Sequence, residues 1–481
     1  MTNLDVQHYD IALIGSGSSN SFPGPEFAGR SIVQIDRGVG PDRVFGGTCL
    51  NLGCIPTKML VHTADLAHAP TEAARFGVTA TLRHVDWPAI RERIFGRLDA
   101  ISTGGELYRS SHEDNRNLTL LRGTAAFTGP GTLTVALTDG TEQAITADTI
   151  VIGAGSRPEF PPIEGLEEAR PHTSDTIMRI PELPVSLAIL GSGVVAVEMA
   201  HIFASLGVEV TMIARSDRVL RQADREVSER LTRVLGERLT LVTGLSTTSV
   251  TREADGVVLR GERDGETVEV RAQELLVATG RRPNTDLLEV ERAGIDTHAD
   301  GRIAVDAHQR VLAGGRVLEG VWAFGDVSSA MQLKHVANHE QRIVRHNVLH
   351  PEDLRRSDTM PIPSGVFTDP QVAWVGMDEQ TAREQARAEG REILVGRQEY
   401  AGIAYGWALE DTDGFAKIIV DAGTTQILGA HIIGAEATTL IQQLIQAMST
   451  GQTARDIATT QYWIHPAMPE LLENALLQVI D

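Results

Sequence analysis

The 481-residue chain contains only two cysteines, and both lie in Gly46-Gly47-Thr48-Cys49-Leu50-Asn51-Leu52-Gly53-Cys54-Ile55-Pro56-Thr57-Lys58 with four residues between them. The thiolate is the reactive form of cysteine, and a helix beginning after Gly53 would lower a thiol pKa through its dipole. Lys58 stands one helical turn beyond Cys54, so the two share a face. A lone pair of this kind in a reducing compartment is a working dithiol rather than a staple. Zinc sites of three or four cysteines are excluded by count, and no close histidine pair completes a mixed site, so no metal is expected.

A second constellation is His465-Pro466-Ala467-Met468-Pro469-Glu470. An imidazole titrating near neutrality can protonate a departing thiolate, and a carboxylate on its other ring nitrogen would orient it and support the imidazolium. His335 and His339 lack such company and read as structural.

The elements that must position these groups are legible as strands that run into glycine. Tyr9-Asp10-Ile11-Ala12-Leu13-Ile14-Gly15-Ser16-Gly17 opens a dinucleotide-binding unit, and the strand Arg30–Asp36 ends in a carboxylate placed for a ribose hydroxyl. Asn20 stands where a third glycine or alanine is usual. Pro23 and Pro25 oppose a regular helix, so that helix is expected to be short, shifted or irregular. A second, complete turn comes in Gly191-Ser192-Gly193-Val194-Val195-Ala196, leading to Glu198 and the strand Val208–Ala214. It ends in Arg215 and Arg221 rather than a carboxylate. Arginine can clamp a 2′-phosphate, and the reading is NADPH. Further strands break at Gly153-Ala154-Gly155, Thr279-Gly280-Arg281 and Phe324-Gly325-Asp326. From about Pro361 the pattern turns to hairpins and then to a helix with Leu440, Ile441, Leu444, Ile445 and Met448 at helical spacing, a stripe that reads as a core face, with a subunit interface as the sharper alternative.

Composition sets the frame. Length predicts about three domains, while 42% hydrophobic and 22% charged residues suit a globular protein. The formal charge of −21 disfavours nucleic acid and anionic membranes as partners. The stretch Met1–His8 has no leader pattern and no apolar run is long enough to span a bilayer, which points to the cytoplasm.

With these motifs in order, the chain resembles the class I flavoprotein pyridine nucleotide-disulfide oxidoreductases over its whole length. The likeness is strongest to the mycothiol-disulfide (mycothione) reductase branch, through Leu50-Asn51-Leu52-Gly53, Asn20, Ala404–Thr412 and Gln461–His465. The resemblance implies an α/β fold with two Rossmann-like dinucleotide-binding domains, the NADPH domain inserted in the FAD domain, and a C-terminal α+β dimerisation domain. The boundaries would be 1–160 (FAD, first part), 161–281 (NADPH), 282–351 (FAD, second part) and 352–481 (interface), in a homodimer.

Residue by residue, the resemblance places FAD at Gly15, Gly17, Asp36, Gly47, Thr48, Lys58, Gly155, Asp326 and Ala337. NADPH would meet Gly191, Gly193, Glu198, Arg215, Arg221 and Gly280. Cys54 would face the flavin with Lys58 paired to Glu198, while Cys49 would attack the substrate. Electrons would pass from NADPH through FAD to a Cys49–Cys54 disulfide, and then to mycothiol disulfide, with His465 and Glu470 of the partner subunit as acid–base dyad. The family's His-Pro-Thr becomes His465-Pro466-Ala467. Glutathione-disulfide reductase and dihydrolipoamide dehydrogenase share the scheme, and a flavin-containing redox sensor is the reading from another class.

Overall fold

The computed structural model describes residues 6–480; the opening stretch through Asp5, part of the segment inspected for a leader, lies outside the described residues. The strand Val6–Ile14 sits in the middle of a seven-stranded sheet, parallel to both Ile32–Asp36 and Glu142–Ile152. Its last residues Ile11, Leu13 and Ile14 are buried, as expected where a parallel sheet is covered on both faces. An antiparallel meander, Leu118–Gly129, Thr132–Leu137 and Glu142–Ile152, extends the sheet on one side. The strand Arg316–Ala323 returns much later in the chain to pair in parallel with Glu142–Ile152.

A separate four-stranded parallel sheet stands between these two visits, in the order Glu274–Val277, Ser186–Leu190, Glu209–Ile213, Thr240–Val242. The chain enters and leaves this unit through a two-stranded antiparallel ribbon, Ser156–Pro158 against Arg281–Pro283. The fold is therefore α/β with one Rossmann-like unit inserted into another, and an α+β unit completes the chain. That last unit is a five-stranded antiparallel sheet from Pro363–Val366 to Phe415–Asp421 and Ile427–Gly434, backed by the helices Ala437–Thr450 and Glu470–Leu477.

The two nucleotide turns lead into different structures. After Gly193 a regular helix, Val194–Ser205, starts at once, and Val197, Ala200 and Phe203 are fully buried in its apolar cluster. Burial of a side chain such as Phe203 contributes roughly 1.5–3 kcal/mol. After Gly17 there are only two 3-10 turns, Ser18–Ser21 and Pro25–Phe27. This is the irregularity that Asn20 and the prolines lead one to expect. Phe22 and Phe27 stack with ring centroids 5.1 Å apart, filling the space beneath the turn. Arg109, from the helix Trp87–Ser111, holds the end of the turn through its Nε to Asn20 Oδ1 at 2.9 Å and a second bond to the Asn20 carbonyl. Among the described residues no helix is long and apolar enough to cross a membrane.

Candidate active site

The cysteine segment folds as two consecutive helices, Gly47–Asn51 and Cys54–Ala73, and across the break at Leu52-Gly53 the two thiols come within hydrogen-bonding reach of each other. The segment is tied to the first nucleotide turn. Gly46 N–H donates to Ser16 Oγ at 2.8 Å, and a Cβ on Gly47 would lie 2.5 Å from Gly17 Cα. Gly47 also has φ 77°, a conformation that glycine adopts without strain. Asn51 braces the bend by donating to the Phe45 and Gly47 carbonyls at 2.8 and 3.0 Å.

Both cysteines are free thiols here, the reduced form of the expected pair. Their interaction polarises them. The hydrogen bond from Cys49 lowers the Cys54 thiol to about 7, with Lys58 adding to the effect. The same hydrogen bond, with burial, pushes Cys49 well above the ordinary thiol range. From sequence, the depressed pKa was expected to come from the helix dipole. The helix does begin at Cys54, but the neighbouring thiol is the larger cause.

Lys58 and Glu198 are 140 positions apart in sequence and form a direct ion pair. The same Glu198 oxygen accepts the Phe367 N–H at 2.9 Å, and the Lys58 ammonium sits 4.5 Å from the centre of the Phe367 ring. Glu198 is almost fully buried, and Lys58 is partly open. One carboxylate therefore joins the cysteine helix, the helix after the second nucleotide turn, and the C-terminal unit.

Cys49, Cys54, Lys58, Glu198 and Phe367 line a single cavity of about 1940 Å³. It runs from Gly15, Gly17 and Asp36 past Gly47, Thr48, Cys49, Cys54 and Lys58, with Gly155, Asp326 and Ala337 on its wall, to Gly191, Gly193, Glu198, Arg215, Arg221 and Gly280. This exceeds the few hundred to about 1,000 Å³ of an ordinary ligand site and suits two dinucleotides meeting end to end. The first half fits FAD. Gly15, at φ 104°, lets the turn pass so close that a Cβ would lie 2.3 Å from the Gly153 carbonyl, leaving bare backbone toward the cavity. At the end of the neighbouring strand, Asp36 is buried and its pKa is raised by that burial.

The second half fits a nicotinamide dinucleotide. Gly191, at φ 137°, passes equally close to the Ala278 carbonyl. Arg215 and Arg221 are exposed on the cavity wall with no carboxylate partner among the described residues. The Arg221 loop is held in place by Leu220, which adopts φ 53° and donates its N–H to the Ser192 carbonyl at 2.8 Å.

His465 and Glu470 are the expected site residues that do not line the cavity. They do find each other, with His465 Nδ1 2.7 Å from Glu470 Oε1. The bond holds the Glu470 carboxyl below its usual range. A second Glu470 oxygen accepts the Ala467 N–H at 3.2 Å, which aims the carboxylate at the ring. The His465 side chain is 70% exposed, on a surface that also shows Tyr462 and Ile464.

Three features were not apparent from sequence. Ile441, buried in the core as its stripe predicts, and the partly buried Ile445 also border the cavity. Glu340 accepts the Gly325 N–H at 2.7 Å beside Asp326, and burial raises its carboxyl to about 7. Lys334 reaches the first nucleotide turn; its signal was its rarity, since it is one of only three lysines in the chain. His335, expected to be structural, lines the cavity and places Nε2 2.9 Å from the Pro363 carbonyl. Among the described residues no group of three His, Cys, Asp or Glu could hold a metal.

Residues 9–340 match the family model described as pyridine nucleotide-disulphide oxidoreductase, and residues 362–476 match that family's dimerisation domain. The chain is 45% identical to the mycothione reductase of Mycobacterium tuberculosis, over 98% of this chain and 99% of the relative. It is 34% identical to the mercuric reductase of Streptomyces lividans, over 97% and 95%. Among solved structures, the HOCl-induced flavoprotein disulfide reductase RclA from Escherichia coli superposes with a TM-score of 0.82 at 27% identity, covering 98% of this chain and all of that one.

Proposed function

The chain belongs to the pyridine nucleotide-disulphide oxidoreductases, flavin enzymes that use FAD and NAD(P)H, and from that premise we propose that it reduces mycothiol disulfide with electrons from NADPH. The observation that carries the reading is the polarised Cys49–Cys54 pair at the centre of a cavity large enough for both dinucleotides. The likeness to a mycothione reductase supports the substrate. Arg215 and Arg221, which have no carboxylate partner among the described residues and suit a 2′-phosphate, support NADPH over NADH. In the same reading the chain divides at 160, 281 and 351, works as a homodimer through its dimerisation domain, and serves a reducing cytoplasm.

When bound, FAD supplies a two-electron shuttle between the nicotinamide and the cysteine pair. The residues of this chain do the rest. Gly15, Gly17, Gly47, Thr48, Gly155, Asp326 and Ala337 shape the FAD half, with Asp36 for a ribose. Gly191, Gly193 and Gly280 shape the nucleotide half. Lys58, held by Glu198, keeps a fixed positive charge beside Cys54 and favours its thiolate.

In the reduced enzyme Cys49 gives up its proton to His465 of the partner subunit and attacks one sulfur of the substrate. The substrate S–S bond breaks and a Cys49–substrate disulfide forms. The first thiolate leaves and takes the proton from the imidazolium, whose other nitrogen rests on Glu470 of the partner subunit. The Cys54 thiolate then attacks Cys49 Sγ, the second thiolate departs and takes a proton from solvent, and the Cys49–Cys54 disulfide is closed. Two thiols form for each dithiol oxidised, so the electrons balance.

The test is NADPH oxidation by the purified protein against mycothiol disulfide, glutathione disulfide and lipoamide. Turnover fastest with mycothiol disulfide supports the reading. Preference for either of the others, or for NADH, overturns it. NADPH consumption that stops after one equivalent would favour the redox sensor.

A further inference from the structure

The chain has three lysines against forty arginines, and two of them are neutralised by carboxylates. Lys58 pairs with Glu198, and the buried Lys417 pairs with Asp224, Glu226 and Glu379. Lys334 has no carboxylate partner among the described residues. It is also the first residue of the helix Lys334–Leu349, the end where a cation opposes the helix dipole. A lysine that breaks both rules has a compensation elsewhere.

Its position supplies one. Lys334 is half-buried on the wall of the cavity and donates from Nζ to Ser18 Oγ at 3.0 Å. Ser18 in turn donates to Asn338 Oδ1 at 3.0 Å. Lys334 and Asn338 are four apart on one helix, so one face of that helix holds Ser18 of the first nucleotide turn through two side chains and fixes the ammonium against it.

The turn needs a charge. At the second turn a helix of twelve residues begins after Gly193, and its dipole and free N–H groups favour a diphosphate there. At the first turn the 3-10 segment Ser18–Ser21 has four residues and offers no comparable dipole. Arg109 is spent behind the turn on Asn20 and Asn115 and does not line the cavity.

We propose that Lys334 is a cofactor-binding residue whose ammonium pairs with the diphosphate of FAD, supplying the positive charge that the missing helix leaves out. An ammonium is a compact point charge that tolerates variation in phosphate geometry, which suits an irregular turn. The proposal concerns FAD alone and holds whichever disulfide the enzyme reduces.

The experiment monitors FAD release from the purified holoenzyme by recovery of free flavin fluorescence, at NaCl from about 50 to about 500 mM, a range over which the screening length falls severalfold. Lys334→Gln is expected to release FAD about tenfold faster or more, with a shallower salt dependence than the unaltered enzyme, and Lys334→Arg to stay within a few-fold. Release from Lys334→Gln at the unaltered rate overturns the proposal. So does faster release with an unchanged salt slope, which would mark lost packing, or a changed flavin spectrum with unchanged release, which would place the ammonium at the ring. Should Lys334→Gln fail to fold, salt-independent release from the unaltered enzyme overturns the proposal, and salt-accelerated release with retention by Lys334→Arg supports it.

Discussion

Glu198 binds Lys58 and the Phe367 N–H through one carboxylate oxygen, so the helix that carries Cys54 and the helix that opens the second nucleotide turn share a single buried acceptor. The arrangement fixes how the two halves of the cavity meet. Removing one member of a buried pair leaves the other uncompensated, which costs up to about 3–5 kcal/mol for a fully buried pair and less where, as here, the lysine reaches solvent.

Glu198→Ala leaves a lysine that solvent can reach but orphans the Phe367 N–H, while Lys58→Met leaves the buried carboxylate without its cation, so both single changes are expected to destabilise. A melting temperature lowered by several degrees, with slower reduction of the enzyme by NADPH, is the expected result. Lys58→Met should in addition raise the apparent pKa of Cys54. Thermal melts and stopped-flow reduction of the two variants check both points.

The Cys54 thiol, lowered to about 7 chiefly by the hydrogen bond from Cys49, predicts a definite pH course. In the reduced protein the thiolate at Cys54 is lost as pH falls through about 7 and is complete by about pH 8–9. Thiolate absorbance near 240 nm should trace that curve. Cys49→Ala removes the donor and should move the midpoint upward toward the ordinary thiol value, and a midpoint unmoved by that change would assign the shift to Lys58 and the helix instead.

His465 and Glu470 predict a split between half-reactions. Glu470→Gln keeps the shape of the side chain but removes the charge that supports an imidazolium, and turnover with disulfide should fall about 10–100-fold. His465→Ala should fall further, by about 10²–10⁴-fold. Reduction of either variant by NADPH should proceed at the unaltered rate, since neither residue lines the cavity of its own chain. Stopped-flow measurement of each half-reaction separates this from a structural defect, which would slow both.

Much of this was readable along the chain because local physics writes it there. Strands that end in Gly15, Gly155, Gly191, Gly280 and Gly325 mark the sheet edges where backbone must pass close to a ligand, and every one of these glycines lines the cavity. The proline-rich stretch after Asn20 foretold the broken first helix. What stayed hidden was long-range. Lys334 and Ser18 are 316 positions apart, and nothing local to either marks their contact. The helical stripe of Leu440 to Ile445 reads as core because periodicity shows an apolar face without showing all that it covers; Leu440, Ile441 and Leu444 are buried in one cluster, and its edge at Ile441 and Ile445 also borders the cavity. The cause of the Cys54 shift was likewise a contact across a bend, formed only because the helix breaks at Gly53.

The division of labour between the two sulfurs is tested most directly by trapping. Cys54→Ser, incubated with mycothiol disulfide and probed by intact mass and peptide mapping, should accumulate one mycothiol per chain, bound to Cys49, whereas Cys49→Ser should accumulate little over the same time. Adduct forming on Cys54 of the Cys49→Ser variant as fast as on Cys49 of the Cys54→Ser variant would contradict the account.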